Sequence, residues 1–116
     1  MSRQYETVWS FKTARFIVAL EIEPEDMDPT DSFEFQEDID AVRNGEVEWF
    51  CACVSVYLDD KRIAWDYLGG CAYKSVREFY ESHRKYKQGD YFTDMVHEAC
   101  AMARKELRDV PRMRAA

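Results

Sequence analysis

Between Glu46 and Leu68 the chain carries its longest run of side chains alternating as a two-faced strand requires. Phe50, Ala52, Val54, Val56 and Leu58 share one parity, which places them on one face. Asp59-Asp60-Lys61-Arg62 interrupts the run, and Ile63, Trp65 and Tyr67 resume a period of two. The stretch therefore reads as an antiparallel hairpin with a short connection. On its opposite parity stand Trp49, Cys51, Cys53, Ser55 and Tyr57. That mixed face is expected to be covered by the acidic segment that precedes it or left for a partner.

Two further strands precede it. Thr7 to Phe11 alternates, and from Arg15 to Glu23 the even positions Phe16, Val18, Leu20 and Ile22 face one way. Pro24 removes a backbone donor and starts a polar loop, Glu25-Asp26-Met27-Asp28-Pro29-Thr30-Asp31. Within Ser32 to Asn44, Phe35, Ile39 and Val42 fall at helical spacing ahead of a C-capping Gly45, which predicts a short helix with an acidic outer face. After the hairpin, Gly69-Gly70 is read as the end of the strand. Ser75-Val76-Arg77-Glu78 is a capping box that opens a helix from about Val76 to Lys85. Gln88-Gly89-Asp90 turns the chain into a last helix, Tyr91 to about Arg108. Phe92, Met95, Val96, Ala99, Ala103 and Leu107 form its apolar face, and Pro111 is expected to stop it.

These patterns together predict an α+β fold. A four-stranded antiparallel sheet carries two C-terminal helices packed on one face, and a short acidic helix is inserted between the two hairpins. With 116 residues, 47% of them hydrophobic, the chain fits one domain with a core of its own, and residues 111–116 are expected to be a frayed tail. The N-terminus lacks the charged-then-apolar pattern of a signal peptide. The apolar run from Phe16 to Leu20 is far shorter than the roughly 20 residues that span a bilayer. A cytoplasmic protein with no membrane contact is expected, its cysteines Cys51, Cys53, Cys71 and Cys100 remaining free thiols.

Recognisable reaction chemistry is hard to find in this sequence. Cys51-x-Cys53 with Cys71, His83, His97 or Cys100 offers zinc-binding atoms but none of the close spacings of zinc fingers or ribbons. No local signature marks a nucleophilic cysteine. Asp26-x-Asp28-x-x-Asp31 offers oxygen ligands, yet the glycine and glutamate of a calcium-binding loop are not in register. The carboxylates are too numerous for any close pair to signal a glycosidase-like site. Gly69-Gly70 is followed by Cys71-Ala72-Tyr73-Lys74, not by the glycine-rich loop that leads into the Lys-Ser/Thr of a phosphate site. A basic group, Arg77, Arg84, Lys85 and Lys87 with Tyr80 and Tyr86, would suit nucleic acid, but the net charge of −7 opposes it at long range. The expectation is a protein without enzymatic activity, cofactor or metal.

What remains distinctive is the distribution of charge. From Glu21 to Glu48 twelve acidic residues stand against one basic residue, Arg43, a local charge of −11, while the rest of the chain holds eleven acids and fifteen bases. Carboxylates spaced a few ångströms apart on a helix and the loop before it can occupy a Lys/Arg-lined groove built for a nucleic-acid backbone. Glu25, Asp26, Asp28, Asp31, Glu34, Glu37, Asp38 and Asp40 are the expected contact residues of such a mimic. A solvating role for the same acids is the plainer alternative. A second class of function is a structural or regulatory module that self-associates through the Trp49/Tyr57 sheet face, so either a monomer or a homodimer fits the sequence.

Three stretches carry a likeness to known proteins: Val54-Ser55-Val56-Tyr57-Leu58-Asp59, Asp66-Tyr67-Leu68-Gly69-Gly70-Cys71 and Gly89-Asp90-Tyr91-Phe92-Thr93-Asp94-Met95-Val96. With these the chain resembles, over about half its length, small proteins encoded by bacteriophages and prophages. The resemblance implies a protein acting in the bacterial host cell, and it raises the reading of a host-defence inhibitor of the anti-CRISPR type, one that binds Cas proteins and blocks their access to DNA. It carries over no catalytic residue.

Overall fold

In the computed structural model, which describes residues 6–81 and 91–115, the chain forms an antiparallel sheet of four strands in the order β1-β2-β3-β4. The strands are β1 (Glu6–Lys12), β2 (Phe16–Pro24), β3 (Glu48–Leu58) and β4 (Lys61–Tyr73). Between β2 and β3 lie a single 3-10 turn, Pro29–Asp31, and α1 (Gln36–Arg43). After the sheet come α2 (Val76–Glu81) and α3 (Tyr91–Ala115).

The central hairpin closes through two residues, Asp59 and Asp60, both with positive φ (49° and 70°). That geometry matches the right-handed twist of paired strands, and aspartate is among the few residues that tolerate it. Arg15, in the turn between β1 and β2, fastens this end of the sheet with a 2.6 Å ion pair to Asp59. The connection from β1 to β2 lacks glycine because Thr13 supplies the turn: its amide donates to the Phe16 carbonyl at 2.8 Å and its hydroxyl accepts from the Phe16 amide at 3.2 Å.

The even-numbered side chains of β2 and β3 turn to one face of the sheet, where Leu20, Ala52 and Val54 are wholly buried. Phe79 of α2 and Phe92, Met95, Ala99 and Ala103 of α3 complete the same core cluster. At its centre the Phe79 ring meets Phe50, Tyr73 and Phe92 at centroid separations of 5.6, 5.1 and 6.1 Å, mostly edge to face.

Helix ends account for most departures from the periodicity. α1, Gln36–Arg43, lies inside the expected stretch from Ser32 to Asn44, but Phe35 stands before it as an extended N-cap, φ −97° and ψ 132°. Phe35 is thus off the apolar stripe and 64% exposed, whereas Ile39 is buried. The other end of α1 is capped through Gly45, φ 73°: the Gly45 and Glu46 amides donate to Val42 and Ala41 carbonyls, as in a Schellman motif. For α2, Ser75 Oγ accepts from the Glu78 amide at 3.1 Å, and a strand residue, Glu48, accepts from the Val76 amide at 3.2 Å. The further half of that expected helix, from Ser82 to Lys85, lies outside the described residues, as do His83 and the turn at Gln88-Gly89-Asp90. α3 continues past Pro111 to Ala115, where a stop and a frayed tail were expected. A proline removes one i→i−4 bond, and here that loss does not end the helix.

Gly69-Gly70 does not end β4 either, because the strand runs on to Tyr73 through an irregularity in its pairing opposite Phe50 and Ala52. Gly70 holds φ at 66°. A Cβ there would meet Met27, Ser32 and Trp49 only at ordinary contact distances of 3.4–3.5 Å, so the backbone angle is what requires glycine. Gly70→Ala is expected to cost about 1 kcal/mol, read as a lower denaturation midpoint with an unchanged slope.

Candidate interaction surfaces

The acidic segment is an anchored structure. As β2 ends, the Glu25 amide donates to the Trp49 carbonyl, 3.2 Å. The Glu25 side chain turns inward: one oxygen accepts from the Gly70 amide at 2.8 Å and the other from the Cys51 thiol at 3.2 Å. Next, the Met27 carbonyl accepts from the Trp49 indole at 2.9 Å, and the Phe33 ring lies 5.6 Å from Trp49. Asp28 caps the 3-10 turn, accepting from the Thr30 amide (3.0 Å) and hydroxyl (2.9 Å), and also meets Arg43 at 3.3 Å. These contacts, the Thr30 bonds foremost, hold the Asp28 carboxyl below its usual range.

Of the eight predicted contact residues, Glu25 and Asp28 are tied into the fold. Glu25 is half-buried under β4, and Asp28 is tied to Thr30 and Arg43. Asp26, Asp31, Glu34, Glu37, Asp38 and Asp40 are exposed. Glu37 and Asp38 occupy the first turn of α1, where the helix dipole favours negative charge, and Asp40 accepts from the side-chain Nε2 of Gln36 at 2.9 Å. Arg43, the one base of the segment, is the residue that Asp28 engages. The surface therefore keeps most of its negative charge outward.

The face of the sheet opposite the core divides in two. Its Trp49 end is roofed by Met27 and Phe33, so the acidic segment covers part of the surface. Further along, Cys51, Cys53 and Ser55 are buried although they face away from the core. The Tyr67 hydroxyl reaches the Cys51 sulfur at 3.1 Å, and Tyr57 donates to Glu21 at 2.7 Å. The large side chains left exposed are Trp65 and Tyr67 of β4, at 46% and 52%, with the Arg62 guanidinium 4.5 Å from the Trp65 ring centroid. An open depression of about 330 Å3 lies over β1 to β3, lined by Ile17, Glu21 and Tyr57 among others. Trp65 and Tyr67 share a parity in the sequence. Their exposure depends on β4 being the last strand, which alternation does not tell.

Three of the thiols, Cys51, Cys53 and Cys71, are held in their protonated form. Burial raises Cys51 and Cys53, and it pushes Cys71 up to about 12. This is the reverse of what activates a cysteine nucleophile. Among the described residues no group of three or more His, Cys, Asp or Glu side chains is placed to hold a metal ion, and no helix is long and apolar enough to cross a membrane. All four cysteines are free. In the candidate basic group, Arg77 is paired with Glu81 at 2.9 Å, while Arg84, Lys85, Tyr86 and Lys87 lie outside the described residues. No protein-family model matches the chain, and no curated protein or solved structure is significantly similar to it.

Proposed function

We propose that this chain is a non-enzymatic interaction protein that inhibits a nucleic-acid-handling defence complex of a bacterial host, docking its carboxylate-rich segment on a basic surface of that complex. The observation that carries the reading is the outward set of Asp26, Asp31, Glu34, Glu37, Asp38 and Asp40, on a segment pinned to the sheet by Glu25, Met27 and Phe33. Anchoring matters because a fixed array of charges loses little conformational entropy on binding. The likeness to small phage proteins supports a Cas protein or complex as the target and the host cytoplasm as the place of action. Net charge of −7 favours a basic protein surface over direct contact with nucleic acid.

The test is protection of a targeted plasmid in cells with an active CRISPR system. Wild type is expected to raise plasmid survival, and the double reversal Glu37→Lys/Asp38→Lys to return it to the level without the protein. Both positions are exposed, so the variant is expected to fold. Equal protection by the two proteins would remove the acidic surface from the mechanism.

A further inference from the structure

Phe35 breaks two local rules at once. Its ring is 64% exposed, and it belongs neither to the core cluster nor to a ring pair among the described residues. It also holds the N-cap of α1, φ −97° and ψ 132°, with no side-chain bond to the helix amides that follow. Serine, aspartate or asparagine there would satisfy one of those amides and steady the helix, which a phenyl ring cannot do. A loose backbone does not explain the exposure. The Phe35 carbonyl accepts from the Asp38 and Ile39 amides at 3.2 and 3.4 Å, Phe33 lies 5.6 Å from Trp49, and Ile39 is buried. The ring is thus held out into water by a chain fixed on both sides of it. Departures of this kind, with no structural gain beside them, concentrate at functional positions.

We propose that Phe35 is the apolar anchor of the acidic surface, entering a pocket of the partner protein that has an apolar floor and a rim of Lys and Arg. The rim follows from charge. Glu34, Glu37 and Asp38, all exposed, stand within three residues of the ring, and Arg43, the one base of the segment, is engaged by Asp28. The floor follows from the ring, whose exposed apolar area leaves water only in a pocket that closes around it. Carboxylates that did no more than stand in for phosphates would need no ring among them, so the two forms of docking differ in what the loss of Phe35 does. The inference rests on the proposed docking of the acidic segment and adds to it a contribution that is not electrostatic.

Phe35→Ser and Phe35→Tyr are compared with wild type and with Glu37→Lys/Asp38→Lys in the plasmid-protection assay, with thermal unfolding of each purified protein alongside. Phe35→Ser removes the ring, keeps the net charge and installs a capping hydroxyl. It is expected to unfold no lower than wild type, and up to about 8 °C higher. It is nonetheless expected to lose protection at least about ten-fold, the scale of a buried aromatic anchor. Phe35→Tyr retains an aromatic ring and is expected to stay within about three-fold of wild type. Full protection by Phe35→Ser, beside its loss in Glu37→Lys/Asp38→Lys, would keep the acidic surface and overturn the anchor. A lowered unfolding midpoint in Phe35→Ser would assign the ring to the fold, and a Phe35→Tyr protein as inactive as Phe35→Ser would show that the aromatic ring is not what counts; either overturns the proposal. No protection by wild type would remove the docking reading and the anchor with it.

Discussion

Replacing Phe79 by alanine is expected to destabilise the protein by about 3–5 kcal/mol, the largest loss of any single side chain. Phe79 is 1% exposed and its ring touches three others, Phe50 from β3, Tyr73 from β4 and Phe92 from α3. Truncation leaves a cavity bounded by separate elements of the sheet and both C-terminal helices, which cannot all collapse into it. The helix that carries it, α2, is only six residues long, too short to persist without its packing. Thermal unfolding is expected to shift down by more than about 10 °C, given 4–8 °C per kcal/mol for a domain of this size. A shift of a degree or two would show that α2 is not docked as described.

Removing the Glu25 side chain is expected to cost about 1–3 kcal/mol, because two donors lose their acceptor at once. The Gly70 amide and the Cys51 thiol both point to this carboxylate, and Gly70 sits at the irregular turn of β4 where Met27, Ser32 and Trp49 converge. Glu25→Ala therefore loosens the acidic segment where it joins the sheet. Glu25→Gln keeps an acceptor for the Gly70 amide and is expected to lose less than half as much. Hydrogen exchange at the Gly70 amide reports the difference directly: fast in Glu25→Ala, slower in Glu25→Gln, slowest in wild type. Equal exchange in all three would show that Glu25 does not hold this junction.

The sheet was legible because each of its strands alternates. Phe16 to Ile22 and Phe50 to Leu58 carry a period of two, and Asp59-Asp60-Lys61-Arg62 marks the turn as a polar break between apolar runs. The buried face of α3 was equally plain from Phe92, Met95, Ala99 and Ala103. Other features depend on neighbours distant in sequence. Nothing local shows that Glu25 bonds Gly70, 45 residues away, or that Glu48, 28 residues away, satisfies the Val76 amide. Glu25 and Asp28 therefore looked identical to Glu37 and Asp38, although the first two serve the fold and the latter two face solvent. Phe35 misled for a related reason: its helical spacing from Ile39 is real, but the helix starts one residue too late to use it.

Exposed carboxylates are the centre of this account, and their partner is the quantity to measure. Tagged wild type and Glu37→Lys/Asp38→Lys are used to capture proteins from a nuclease-treated lysate of bacteria carrying an active CRISPR system, at low and at high salt. The account predicts that wild type retains a Cas protein or complex at low salt, releases it at about 0.5 M salt, and that the reversal retains at least about ten-fold less. Recovery of the same complex by both proteins, unaffected by salt, would contradict it.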